Sequence, residues 1–145
     1  MNTLKYIFFL LTIFLFGCHD NLKKEYYANG SLKSKYYADK TGLKYGPYVN
    51  YKVNGRIKSE FSYINDTLNG IAKEYYSNGQ LSAVGNFKNG LQDGRLIEYY
   101  SNGKLLQNSG YKFGERSGLA YFYYQNGALK SISYAKNAIT QYKFK

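Results

Sequence analysis

The stretch Tyr75-Tyr76-Ser77-Asn78-Gly79-Gln80-Leu81 decides how this chain folds, because its pattern returns at a nearly fixed interval. Asn-Gly occurs at Asn29-Gly30, Asn54-Gly55, Asn78-Gly79, Asn102-Gly103 and Asn126-Gly127, and successive glycines are 25, 24, 24 and 24 residues apart. A tyrosine pair precedes it as Tyr26-Tyr27, Tyr75-Tyr76, Tyr99-Tyr100 and Tyr123-Tyr124, while the second copy keeps only Tyr51, followed by Lys52. Two residues past each glycine stands Leu32, Ile57, Leu81, Leu105 or Leu129. A second glycine (Gly46, Gly70, Gly94 or Gly118) follows 15 or 16 residues after the first, and Tyr142 takes its place in a degenerate last copy. Self-similarity at such a period marks a repeat architecture, in which each copy buries its apolar surface against its neighbours.

Each copy reads as a β-hairpin. Asn-Gly between aromatic and β-branched runs is a strong hairpin signal, and the turn it predicts is type I′, with positive φ at both central residues. On the outgoing strand Leu81, Ala83, Gly85 and Phe87 alternate with Gln80, Ser82, Val84 and Asn86. That alternation predicts one buried face, with small residues leaving room for a ring from a neighbouring strand. The segments Lys88 to Gly94 and Lys112 to Gly118 turn the chain into the next hairpin. The expected fold is all-β: an elongated antiparallel meander of about ten strands, made of tandem hairpins of about 24 residues. It would occupy residues 25–145, with Ile139 to Lys145 as a capping strand whose lysines discourage edge-to-edge pairing.

The tyrosine, Asn-Gly and leucine unit with its following glycine resembles the MORN repeat in its bacterial variant form. The run Val84-Gly85-Asn86-Phe87-Lys88-Asn89-Gly90-Leu91-Gln92-Asp93-Gly94 carries the resemblance most clearly. It extends from residue 25 to about 142. The resemblance implies a scaffold that binds proteins or lies near lipid, and bacterial members often carry an antitoxin label. No catalytic residue belongs to the pattern, so none is carried over.

Composition removes several classes of function. The 145 residues include 19 Tyr, 9 Phe and 15 Gly but 1 Cys, 1 His and no Trp. The aromatics argue against disorder. The lone Cys18 leaves no internal disulfide or CxxC metal site, and the lone His19 leaves little material for His-based catalysis. No enzyme, no metal and no cofactor are expected. The balance of 20 basic against 9 acidic residues, +11, favours an anionic partner.

Residues 1–18, MNTLKYIFFLLTIFLFGC, read as an address. The apolar run Tyr6 to Phe16 is too short to cross a bilayer of about 30 Å as a helix and has the length of a signal-peptide core. Leu15-Phe16-Gly17-Cys18 resembles the lipobox of bacterial lipoproteins, although Phe16 is bulkier than the residue usual there. The resemblance implies a signal peptide over 1–17, acyl chains such as palmitate on Cys18, and a tether over 18–24. It also implies a place in the cell envelope, on the outer membrane or the periplasmic leaflet. An ordinary secretory signal, or a buried N-terminal strand with an incidental Cys, are the other readings. Export makes anionic headgroups, lipopolysaccharide, acidic glycans or a protein better partners than nucleic acid.

Two sets of side chains are candidates for binding. Tyr75, Tyr76, Tyr99, Tyr100, Tyr123 and Tyr124 form a ladder that would stack on sugars or accept a peptide, or else simply form the core, leaving the outward Tyr of each pair for contact. Glu25, Glu74 and Glu98 share one repeat position. Stacked carboxylates suit a cation or a glycan-acting acid/base pair; the plainer expectation pairs them with Lys73 or Lys104 on the strand surface. Gly30, Gly55, Gly79, Gly103, Gly127, Gly70, Gly94 and Gly118 are expected to serve turns.

Overall fold

A computed structural model describes residues 21–136 and 140–144. The expected signal peptide over 1–17 and Cys18 lie outside them. The described strands are β1 (Leu22–Tyr26), β2 (Leu32–Ala38), β3 (Lys44–Tyr51), β4 (Ile57–Ile64), β5 (Thr67–Leu68) and β6 (Gly70–Tyr75). They continue as β7 (Leu81–Lys88), β8 (Leu91–Tyr99), β9 (Leu105–Lys112), β10 (Glu115–Tyr123), β11 (Leu129–Lys136) and β12 (Thr140–Phe144). All pair antiparallel in one sheet, in chain order, except that β5 pairs with β4 alone. Five hairpins account for ten strands, as expected. Two more appear. β12 pairs with β11 where the cap is expected. β5 is the start of an incoming strand cut at Asn69, whose amide donates to the Ser62 carbonyl at 2.8 Å; its counterpart β8 runs unbroken.

The turn expectation needs correction. In the third hairpin Tyr76 N donates to Gln80 O (2.8 Å) and Gly79 N to Tyr76 O (3.0 Å), which leaves a three-residue loop Ser77-Asn78-Gly79. Gly79 has φ of 91°, but Asn78 is not left-handed. A type I turn closed by a G1 bulge at Gly79-Gln80 has this pattern, and a second bulge follows at Ser82, where the register slips between Glu74 and Tyr75. Type I′ geometry appears instead at the opposite edge, where consecutive residues have positive φ: Asn65-Asp66, Asn89-Gly90 and Phe113-Gly114.

Successive residues on a strand point to opposite faces, so the register defines two faces. The front row Glu25–Ser34–Asn50–Ser59–Glu74–Ala83–Glu98–Gln107–Phe122–Ser131 crosses the sheet strand by strand. Behind it, Lys24, Lys35, Val49, Glu60, Lys73, Val84, Ile97, Asn108, Tyr121 and Ile132 form the matching back row. The buried residues all sit in front: Ser34, Ala38, Ser59, Ala72, Gly85, Gln107, Ser109, Ala120 and Ala135. They are small, apart from Gln107. A single sheet carries one layer of side chains per face, so only a residue shorter than its neighbours sinks below the surface. The tyrosine pairs therefore do not form the buried core.

Candidate binding surfaces

The tyrosine ladder joins repeat to repeat. Tyr27 Oη donates to the carbonyl of Tyr51 at 2.7 Å, Tyr76 Oη to that of Tyr99 at 2.6 Å, and Tyr100 Oη to that of Tyr123 at 2.8 Å. The second copy lacks this tyrosine, yet Lys52 Nζ makes the equivalent bond to the Tyr75 carbonyl at 3.0 Å. The second aromatic of each pair thus reaches forward, and its acceptor is the first tyrosine of the following copy. Tyr124, in the last described copy, makes no hydroxyl hydrogen bond among the described residues, and its ring is half exposed with Lys130 Nζ 5.5 Å away.

The first tyrosines turn to the back. Tyr75 Oη donates to Glu60 Oε2 at 2.7 Å. Burial, followed by the adjacent carboxylate, pushes the Tyr75 phenol up to about 12, since both disfavour a phenolate. Tyr99 and Tyr123 are half-buried on the same face.

The loop asparagines do two jobs at once. Their Oδ1 atoms accept from the amide two residues on, in all five hairpins, at 2.9 to 3.2 Å. Their amide groups reach across, with Asn78 Nδ2 on the Ser101 carbonyl (2.9 Å) and Asn102 Nδ2 on that of Gln125 (3.3 Å). Aspartate offers the first bond but has no hydrogen for the second. Arg56 and Lys104 add similar links to the carbonyls of Ser77 and Asn126. Nothing in the residue spacing announced these links, although their 21- to 23-residue separations follow the repeat.

Glycine roles divide by edge. Gly30, Gly55, Gly79, Gly103 and Gly127 close the three-residue loops with φ between 80° and 95°. Gly70, Gly94 and Gly118 lie near the other edge, also left-handed. At Gly94, with φ of 122°, a Cβ would come within 3.0 Å of Asn86 Cβ.

Among the described residues Glu25, Glu74 and Glu98 form no ion pair with lysine. Lys73 bridges to Glu60 on the back face, Nζ to Oε2 3.6 Å, and Lys104 serves the Asn126 carbonyl. Lys73 follows a strand register opposite to that of Glu74, which turns it away. Glu25 accepts the hydroxyls of Ser34 (3.0 Å) and Tyr36 (3.2 Å), and Glu98 accepts from Gln107 Nε2. Glu74 and Glu98 flank Ala83 from the two neighbouring strands, about 9.5 Å apart by strand spacing. Among the described residues no three His, Cys, Asp or Glu side chains gather as a metal site.

The back face carries Lys24, Lys35, Lys73 and Arg95, with Glu60 as the carboxylate of its central row. Lys58 and Lys130 are the extra residues at two bulges and border depressions with front-row side chains, Lys58 with Asn50, Ser59 and Glu74, Lys130 with Phe122 and Ser131. Exposed Tyr45, Ile71, Leu119 and Tyr134 share the back face. A cavity of about 610 Å³, broad and open, is bordered there by Arg95, Leu119, Tyr121 and Tyr134.

The family model described as MORN repeat variant matches residues 20–40, 68–89, 92–112 and 116–137. Together these stretches cover more than half of the chain. The chain belongs to the MORN repeat variant family. Each MORN match spans one hairpin or nearly so, and the unmatched segment between the first two holds β3 and β4. That hairpin is the copy with Lys52 for tyrosine, and it keeps both the fold and the forward bond. No curated protein matches the chain.

Proposed function

We propose that this chain is a lipid-anchored scaffold of the cell envelope, whose back face holds an anionic surface or an acidic protein partner without catalysis. The observation that carries the reading is the set of basic side chains Lys24, Lys35, Lys73 and Arg95 beside exposed Ile71, Leu119 and Tyr134 on the back of the sheet. Lysine and arginine attract anionic headgroups, and Ile71, Leu119 and Tyr134 supply contact area once the surface is reached. The position of Cys18 at the end of the apolar run supports the anchor, since two or more acyl chains hold stably where one does not.

Residues 18–145 carrying Cys18→Ala are expected to bind phosphatidylglycerol vesicles, and to leave them as salt is raised. Each basic residue near an anionic surface contributes about 1 kcal/mol. Lys35→Glu/Lys73→Glu/Arg95→Glu should therefore lower the vesicle partition coefficient by at least a hundredfold, while Glu74→Gln leaves it unchanged. Equal partitioning of wild type and triple variant would remove the back face from the reading. The anchor is checked separately: an alkyne fatty acid should label the wild type in cells, and label persisting on Cys18→Ala would overturn it.

A further inference from the structure

The five Asn-Gly loops share one shape, yet hydrogen bonds divide them into two kinds. Asn29, Asn54, Asn78, Asn102 and Asn126 are all exposed, and each Oδ1 accepts the amide two residues on. The glycine that follows each donates its amide to the carbonyl three residues back, at 2.8 to 3.0 Å. The difference lies at Nδ2. Asn78 and Asn102 direct it to the next loop, on the carbonyls of Ser101 (2.9 Å) and Gln125 (3.3 Å). Asn29, Asn54 and Asn126 make no Nδ2 hydrogen bond among the described residues, only those to Oδ1. Two further pairs, Asn69-Gly70 and Asn89-Gly90, lie at the opposite edge, where Asn69 Nδ2 donates to Asn89 Oδ1 at 3.4 Å.

Asn-Gly carries a reaction of its own. The glycine amide gives its proton to a base in solution, and its nitrogen attacks Asn Cγ; glycine has no Cβ to hinder that approach. A bond forms from the glycine nitrogen to Cγ, the Cγ–Nδ2 bond breaks, and Nδ2 leaves as ammonia after taking a proton from water. Water then opens the cyclic imide at either carbonyl, which yields aspartate or isoaspartate. The attack requires the glycine N–H to leave its carbonyl, a demand common to all five loops. It also requires the side-chain amide to swing toward the glycine nitrogen. An amide held only at Oδ1 pivots about that end. An amide held at both ends turns only after its second bond breaks.

We propose that Asn29, Asn54 and Asn126 are spontaneous deamidation sites of the folded chain, while the forward amide bond guards Asn78 and Asn102. The guard stands where the product would do most harm. Conversion of Asn78 or Asn102 removes the donor that the Ser101 or Gln125 carbonyl accepts, since a carboxylate has no hydrogen to give. Conversion at the three free sites cuts no such link. Aspartate there still accepts the amide two residues on, whereas isoaspartate puts an extra methylene into the main chain and loosens that one loop. Three added carboxylates take the net charge from +11 to +8. An ageing chain therefore loses attraction for an anionic partner before it loses its junctions.

Peptide mapping by mass spectrometry, on the full chain aged in neutral detergent and mildly alkaline buffer, tests this directly. Asn29, Asn54 and Asn126 should show the mass gain of an amide-to-acid exchange about fivefold faster than Asn78 and Asn102, the factor that one ordinary hydrogen bond supplies. Methyl transfer by an isoaspartyl methyltransferase should report the same order. Equal rates at the five sites would overturn the proposal. In concentrated urea all five should convert alike, because glycine follows each; the folded ranking persisting in urea would assign it to sequence and overturn the proposal as well. The guard has its own measurement. Asn78→Asp should lower the urea midpoint and Asn54→Asp should not, and equal midpoints would show that the forward amide bond holds nothing.

Discussion

Phe113 occupies a left-handed turn position that its chemistry does not favour. Its φ is 52°, close to the 48° of Asn65 and the 51° of Asn89 at the equivalent turns. A bulky L-residue there costs about 1–2 kcal/mol, a cost asparagine lowers by bonding locally. The ring is 69% exposed, so packing recovers little. Its attraction for Lys112 Nζ, 4.7 Å from the ring centre, is worth about 0.5–1 kcal/mol at an exposed site. The backbone strain outweighs that attraction. Phe113→Asn is expected to stabilise the fold by roughly 0.5 kcal/mol, read as a higher urea midpoint at unchanged slope; a lower midpoint would show that the ring contributes more than its exposure suggests. The carboxylates at this edge behave differently. Backbone and side-chain donation from Lys44 holds Asp66 below the usual carboxylate range, and the Lys112 ammonium does the same for Asp93. Their contribution is present above the ordinary carboxylate pKa and fades as acid protonates them.

Hairpins are joined by donors that reach forward, and that contact can be measured one element at a time. Tyr76→Phe keeps the ring and removes only the hydroxyl that the Tyr99 carbonyl accepts. The loss should be about 1 kcal/mol, or a Tm lower by a few degrees. Tyr124→Phe should change Tm by less than one degree, since no acceptor meets its hydroxyl among the described residues. Equal effects at the two positions would refute the forward rung. Much of the element level was legible beforehand: the Asn-Gly spacing located each hairpin, and period-two alternation from Ala83 to Phe87 chose the face that is buried, whereas the bulge at Ser82 turns Leu81 to the back opposite Tyr75. The turn type was not legible from Asn-Gly alone. The same dipeptide closes a three-residue loop at Asn78-Gly79 and a two-residue turn at Asn89-Gly90, and only loop length separates them. A front-face depression of about 190 Å³ between Phe61 and Phe87, floored by Gly85, was hidden for another reason. It depends on Ala72, Ala83 and Gly85 meeting across three strands, a coincidence of register rather than of sequence. Lysine partners for Glu74 and Glu98 were a wrong expectation because nearness along the chain ignores the face each side chain takes.

At the scale of the whole molecule, stability is close to a sum of hairpins and their junctions. Removing residues 80–103 deletes one unit of 24 residues and joins Gly79 to Lys104. The Tyr76 hydroxyl would then meet the Tyr123 carbonyl in place of that of Tyr99, and the face of every strand would be kept. The shortened chain should fold cooperatively, with a denaturant slope smaller by about one fifth, because that slope follows the surface exposed on unfolding. A chain that fails to fold, or an unchanged slope, would contradict a modular sheet.

The forward bond gives the array a polarity like that of a plug and socket. Every unit presents a donor to the unit after it and an acceptor to the unit before it, and the two match regardless of which copies meet. A tandem duplication of 72 nucleotides, or its loss by unequal recombination, would therefore make a working junction at once, with no second mutation required. Array length is the trait that heredity alters most easily in this protein, and Lys52 shows that a junction survives even when its tyrosine codon does not.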